Sequence, residues 1–241
     1  AIDRVPGVEY TVLIPNLKGA ERAISVGVDE FNLVMSVSEA HNMANLKMGR
    51  ENSFAALSSV IDLAHQNKIP VNISLSTSFG CPMTGMISSA DLMHWIDRFA
   101  AAGVRGITIC DTTGMANPAQ VQTVCEAAQS KYPQLQWTLH FHNTRGMGLA
   151  NALAAVNSGI DRFDSSLGGL GGCPYAPGAT GNICTEELVH MLDLMGFNTN
   201  MNIDALLACS KDLQSLIGRP LPSQLLMAGK VDKLHVAPCQ P

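Results

Sequence analysis

At 241 residues and 46% hydrophobic composition, the chain is long enough for one large domain or two small ones and can build a substantial core. A net charge of −5 without Lys/Arg clusters argues against nucleic acid, because phosphate backbones need a concentrated basic surface; a small anionic substrate needs only one or two local cations. No apolar run approaches the roughly 20 residues that span a bilayer, and no charged, then apolar, then small-residue leader opens the chain, so a soluble protein is expected.

Short β-branched or apolar runs recur along the chain: YTVLIP (10–15), FNLVMSV (31–37), PVNISLSTSF (70–79), GITICDTTG (106–114), WTLHFHN (137–143) and RFDSSLGG (162–169). Between them lie amphipathic stretches such as LKGAERAISVG, ENSFAALSSVIDLAHQN, SADLMHWIDRFAAAG, PAQVQTVCEAAQSKY and GLANALAAVNSG. Strands alternating with helical patterns of this length predict βαβ units and a parallel sheet. Gly27, Gly103 and Gly159 stand where left-handed caps release helices toward the next strand. Each strand is followed by a polar or glycine-rich segment, so the elaborate loops gather at the strand C-termini, where barrels and open α/β sheets place their chemistry. The charged residues Glu21, Arg22, Asp97 and Arg98 read as solvated helix faces.

Six units are fewer than the eight of a closed (β/α)8 TIM barrel, and nothing after residue 190 reads as a strand. The expectation is one barrel domain over 1–241, with six βα units to about 190 and a helical extension over 191–241. About two units would then be missing ahead of AIDRVPGVEY, which reads as a loop entering a third strand; the alternative is a complete six-unit open sheet. Seven irregularly spaced cysteines, Cys81, Cys110, Cys125, Cys173, Cys184, Cys209 and Cys239, contain no CxxC pair and suit a reducing compartment, most serving as small buried apolar groups.

Residues i and i+2 of a strand share a face, so His140 and His142 in LHFHNTRGMG project together at a strand end, where two neutral imidazoles can share one divalent ion if a third ligand comes from elsewhere. Asp111, at the same level of the neighbouring strand, is a base, a partner for histidine or a substrate contact, or else the cap of the loop DTTG. Ser165 and Ser166 either donate to a substrate carbonyl or carboxylate, or pack inside the barrel. The segment GGLGGCPYAPGATGN (168–182) holds six glycines and two prolines in fifteen residues, which suits a loop that closes over a ligand. It carries Cys173, the most plausible reactive cysteine, and Asn182, whose side-chain oxygen can complete a metal site. It is no phosphate loop: neither GxxxxGK[ST] nor GxGxxG with a suitably spaced acid is present. SFGCPMTG (78–85), with Cys81, reads as an ordinary βα loop.

GLGGCPYAPGATGN, HFHN, ICDTTG, FGCPMTG and IPNLKG together resemble the 3-hydroxy-3-methylglutaryl-CoA lyases, metal-dependent enzymes grouped with Claisen-type synthases on a (β/α)8 barrel, from about Tyr10 to Leu206. The resemblance implies retro-Claisen cleavage of 3-hydroxy-3-methylglutaryl-CoA, or a related 3-hydroxy-3-substituted glutaryl-CoA, to acetyl-CoA and acetoacetate or another 3-oxo acid. It implies Mg2+ or Mn2+ on His140, His142 and Asn182, catalytic roles for Cys173, Asp111 and His140, and an acyl-CoA as the small-molecule partner. Asn143, Arg145 and Ser165 are the expected substrate contacts; Arg145 reaches a carboxylate or the CoA phosphates, or is a surface residue opening the next helix. A homo-oligomer, dimer or tetramer, in a bacterial cytoplasm or a mitochondrial matrix is expected.

Two departures stand out. The family's first-strand aspartate and arginine and its second-strand glutamate have no counterpart, so the chain is expected to be an N-terminally incomplete version of a protein of about 300 residues, without lyase activity if it were the whole molecule. Asn143 and Arg145 follow the histidines where the lyases carry an aspartate and an aromatic; HxHN is more like the condensing synthases, which lack the cysteine loop and are the rival reading, beside a non-catalytic acyl-CoA-binding barrel.

Overall fold

The computed structural model describes residues 2–172, 174–175 and 178–237. In chain order these form β1 (Thr11–Leu13), α1 (Leu17–Val26), β2 (Glu30–Ser36), α2 (Glu39–Leu46), α3 (Arg50–Gln66), β3 (Val71–Ser76), β4 (Gly80–Cys81), β5 (Gly85–Met86) and α4 (Ser89–Ala101). There follow β6 (Gly106–Asp111), α5 (Pro118–Lys131), β7 (Gln136–Phe141), α6 (Gly148–Asn157), β8 (Arg162–Asp164), a 3-10 turn (Leu167–Gly169), α7 (Thr185–Leu194), α8 (Ile203–Ile217) and α9 (Gln224–Ala228).

Six strands make one sheet in the order β1-β2-β3-β6-β7-β8, every neighbouring pair parallel. Thr11, Asn32, Asn72, Thr108, Thr138 and Asp164, one from each strand, line a single cavity of about 380 Å3. The sheet therefore curls about a common axis: it is a six-strand arc of the (β/α)8 barrel, open between β1 and β8.

Strand alternation sets the layers. Phe31, Leu33, Met35, Ile73, Leu75, Ile107, Leu139 and Phe141 are fully buried on the helix side, against Val60 and Ile61 of α3, Ile96 and Phe99 of α4 and Val121 of α5. Each such side chain stabilises the fold by about 1.5–3 kcal/mol relative to exposure, so the curved sheet and its outer helices hold one another. The alternate positions face inward and are polar: Asn72 donates to Asn32 (2.9 Å) and Thr108 (2.8 Å), and Ser74 donates to Asn32 (3.0 Å). Below them Arg105 pairs with Glu9 and with buried Glu30, fastening the start of β6 to that of β2.

Local sequence explains the helix ends. The Asn117 side chain accepts from the Gln120 amide while Gln120 reaches back to the Asn117 N–H, a capping box with Pro118 opening α5. Gly27, Gly103 and Gly159 all take positive φ, as the sequence predicts.

Some elements differ from expectation. Helix α2 was not foreseen: its inner face is His41 and Asn42 rather than an apolar stripe, and its signal is the Ser38 cap on the His41 amide. The runs 106–114 and 162–169 stop being strand at Asp111 and Asp164, where Asp111 and Ser166 turn to bond their own loops. SFGCPMTG contains a hairpin, β4 against β5. Asp97 and Arg98 are not idle surface charges: Asp97 accepts from Lys131 (2.9 Å) and Tyr132 (2.8 Å), and Arg98 pairs with Glu51 while lying 4.0 Å over the Phe54 ring. Of the five described cysteines, Cys81, Cys110, Cys125 and Cys184 are buried and Cys209 is exposed. Among the described residues no helix is long and apolar enough to cross a membrane.

Candidate functional site

The site is built where β7 ends. His140 lies in the strand and His142 just beyond it; their Nε2 atoms stand 3.1 Å apart. Asn182 arrives beside them by an unusual route. After β8 the chain leaves through the glycine-rich loop and returns antiparallel to the end of β7, bridging His142 to Asn182. The return is held on both sides: Asn143 N–H donates to Gly181 O (2.9 Å), Ile183 N–H to Phe141 O (3.0 Å), and Ser166 N–H to Ile183 O (3.2 Å). Gly181 is obligatory here, with φ at +112° and any Cβ running into the Gly169 carbonyl oxygen.

The donor set suits a divalent ion. Two cis ligands about 2.1–2.2 Å from an octahedral ion lie about 3 Å apart, which matches the paired Nε2 atoms. Burial, reinforced by neighbouring His140, brings the His142 pKa down to about 4, so at neutral pH its imidazole is uncharged and free to ligate. The Asn182 amide nitrogen is spent on Leu170 O (2.7 Å) and Gly171 O (3.2 Å), whereas its Oδ1 is buried with no protein partner. Among the described residues no three His, Cys, Asp or Glu side chains cluster at ligating spacing, and the unpartnered Asn182 amide oxygen is a further donor of another type.

Asp111 sits at the end of β6, 1% exposed. Its Oδ1 accepts from Met115 N–H (2.8 Å), so it does cap its loop, and its Oδ2 is buried and unpartnered. Burial pushes its pKa up to about 6, against the Met115 and Ala116 amides and the charges of Arg145 and His140. A carboxyl group with one free oxygen and a pKa close to neutrality is equipped to exchange a proton.

The remaining residues fall out as follows. Arg145 grips the Asp111 loop, its Nη1 donating to Thr113 O (3.0 Å) and Gly114 O (2.9 Å). Asn143 accepts from Gly148 N–H (3.0 Å) at the entry to α6. Ser165 is not brought to the histidines: it bonds Thr185 Oγ1 (2.8 Å) and lines a cavity on the helix side of β8, with Phe163, Leu188 and Leu192. Alternation is the reason, since Asp164 takes the inward position and Ser165 the outward one. Ser166 donates to Leu170 O (2.6 Å) and steadies the loop stem. Cys173 lies outside the described residues.

Three residues of this neighbourhood escaped the sequence reading. Asp164, in register with His140, places Oδ2 3.4 Å from His140 Nδ1. Tyr175, in the glycine-rich loop, meets His41 edge-on with ring centroids 6.0 Å apart, and Lys47 Nζ lies 5.9 Å from the Tyr175 ring centroid. Tyr175 thus lies against α2 and its C-cap. Fully buried Glu186 accepts from Gly168 N–H through both oxygens (3.0 and 3.1 Å), pinning the start of that loop.

A family model described as HMGL-like matches residues 3–213. The hydroxymethylglutaryl-CoA lyase YngG of Bacillus subtilis is 42% identical over 229 residues, 95% of this chain and 77% of that protein. The (R)-citramalyl-CoA lyase of Chloroflexus aurantiacus is 38% identical over 222 residues, 92% of this chain and 70% of that protein. Among solved structures, an HMG-CoA lyase from Acinetobacter baumannii in complex with coenzyme A and 3-methylmalate superposes with a TM-score of 0.93 at 46% identity, covering 98% of this chain and 77% of that one. The chain therefore belongs to the HMGL-like family and is a carbon–carbon lyase of the acyl-CoA type.

Proposed function

We propose that the protein cleaves a 3-hydroxy-3-methylglutaryl-CoA, or a closely related tertiary 3-hydroxyacyl-CoA, to acetyl-CoA and an oxo acid, with a divalent cation, Mg2+ or Mn2+, held at the end of β7. The observation that carries this reading is the pair of His140 and His142 Nε2 atoms 3.1 Å apart, with Asn182, whose Oδ1 has no partner, bridged to His142.

His140 and His142 would bind the ion through Nε2 and Asn182 through Oδ1. A bound divalent ion supplies Lewis acidity to the substrate's tertiary hydroxyl and a charge partner for an adjacent oxygen. Asp111 Oδ2, buried and near neutrality in its proton affinity, takes the hydroxyl proton. As the carbonyl forms, the C2–C3 bond breaks and its electron pair passes to the thioester as an enolate. Cys173 then delivers a proton to the acetyl carbon, giving acetyl-CoA. The glycine-rich loop, docked through Tyr175 on His41, keeps bulk water from that carbon. Arg145 holds the Asp111 loop.

The Chloroflexus relative supports a second substrate with the same chemistry, a citramalyl-CoA, in which the tertiary carbon carries a carboxyl group directly. Supplying full-length protein with Mg2+ and each thioester separately, and identifying the oxo acid released, decides between them: acetoacetate supports the first and pyruvate the second. Thiol release from acetyl-CoA plus a 2-oxo acid, with neither cleavage product, overturns both in favour of a condensing enzyme. The same reading carries the expectation of a homo-oligomer, which light scattering on the purified protein measures directly.

A further inference from the structure

We propose that Asp164 is the positioning residue that fixes the tautomer and the aim of His140. The inference rests on the metal-site reading above only for its consequence; the geometry stands by itself. His140 and Asp164 are register partners on β7 and β8, so both project into the barrel from the same layer, and Oδ2 lies 3.4 Å from Nδ1. On the opposite flank the register partner is Cys110, whose thiol turns to Thr108 O (3.6 Å) and offers His140 nothing comparable.

A carboxylate oxygen facing Nδ1 favours the imidazole tautomer that carries its hydrogen there. Nε2 is then the bare nitrogen, and it is Nε2 that points at His142 Nε2. Without that acceptor the hydrogen can sit on either nitrogen, and half of the arrangements block the atom that must ligate. The same Asp–His pairing behind a ligating nitrogen orients the ring. The two histidines differ in this respect, since His142 Nδ1 is buried with no partner. His140 is the ligand whose orientation is set by a side chain; His142 is set by burial, by its backbone N–H on Asp111 O, and by the bonds that Phe141 and Asn143 on either side of it make to the returning loop limb. The Asp164 side chain is 47% exposed, so it can be replaced without opening the apolar core.

The test compares full-length wild type with Asp164→Ala and Asp164→Asn. In the metal-free protein at alkaline pH, long-range 1H–15N correlation reports which nitrogen of His140 bears hydrogen; Mn2+ titration followed by electron paramagnetic resonance reports affinity. Expected are an Nδ1–H tautomer in wild type, loss of that preference in the Ala variant with Mn2+ binding about 10–100-fold weaker, and partial rescue of both in the Asn variant, whose amide oxygen still accepts. An unchanged tautomer or unchanged Mn2+ affinity in Asp164→Ala overturns the proposal. A wild type whose tautomer follows Asp164 but that binds no Mn2+ supports the positioning role and overturns the metal reading instead.

Discussion

His142 and Asn182 face one another across an antiparallel bridge, although α6, β8 and the whole glycine-rich loop separate them in the chain. The pairing depends on Gly181, where no side chain fits. Gly181→Ala is therefore expected to displace Asn182 and weaken Mn2+ binding by at least tenfold while leaving the far-ultraviolet circular dichroism of the barrel unchanged. Wild-type affinity in that variant would show that the return limb does not build the site.

Asp111 gives a pH signature. Its folded pKa of about 6 lies above the 3.8 of an exposed carboxyl group, so its contribution is fully present below 3.8 and is lost as pH rises through 6. Buried His142 acts in the opposite sense: with its pKa lowered from 6.5 to about 4, its contribution is present above 6.5 and lost as pH falls through 4. The two slopes oppose one another between pH 4 and 6, so a single wild-type curve conceals both. Subtracting the wild-type curve from that of Asp111→Asn in metal-free denaturant titrations isolates one: the variant should gain about 2–3 kcal/mol relative to wild type as pH rises across this range. Parallel curves would show that Asp111 is not raised.

Arg145 is predicted to act through its grip on two carbonyls. Arg145→Met should cost about 1–2 kcal/mol of stability and speed amide exchange over residues 112–116, with the histidine site still able to bind Mn2+. Loss of Mn2+ binding together with unchanged exchange would move Arg145 from the loop to the metal site.

Cys173→Ala is expected to leave Mn2+ affinity intact and to lower turnover by orders of magnitude, since its assigned task is proton delivery after the bond has broken. Turnover close to wild type would remove the thiol from the mechanism.

The sequence made the barrel legible because its six parallel strands are apolar, β-branched runs closed by glycines, and the histidine pair because a period of two puts both rings on one face. Asp111 was legible only as a pair of alternatives, and the structure shows it capping its loop with one oxygen while the other stays free. What could not be read is whatever depends on partners distant in the chain. Helix α2 carries its inner face on His41 and Asn42, which no apolar period reveals. Arg145 finds its acceptors on the preceding βα loop, and Tyr175 finds His41 on α2. Ser165 and Asp164 are neighbours at a strand end, where one residue reverses the face, so that Asp164 and not Ser165 stands in register with His140.

A divalent ion on the paired histidines is proposed to drive cleavage of a tertiary hydroxyacyl-CoA. The most direct test is the rate of acetoacetate release from 3-hydroxy-3-methylglutaryl-CoA by full-length protein, before chelation, after exhaustive chelation and after Mg2+ or Mn2+ is restored, with His142→Ala in parallel. Metal-driven cleavage predicts release that stops on chelation, returns with the metal, and falls by orders of magnitude in the variant. Release that continues undiminished in chelated protein, or in His142→Ala, would contradict it.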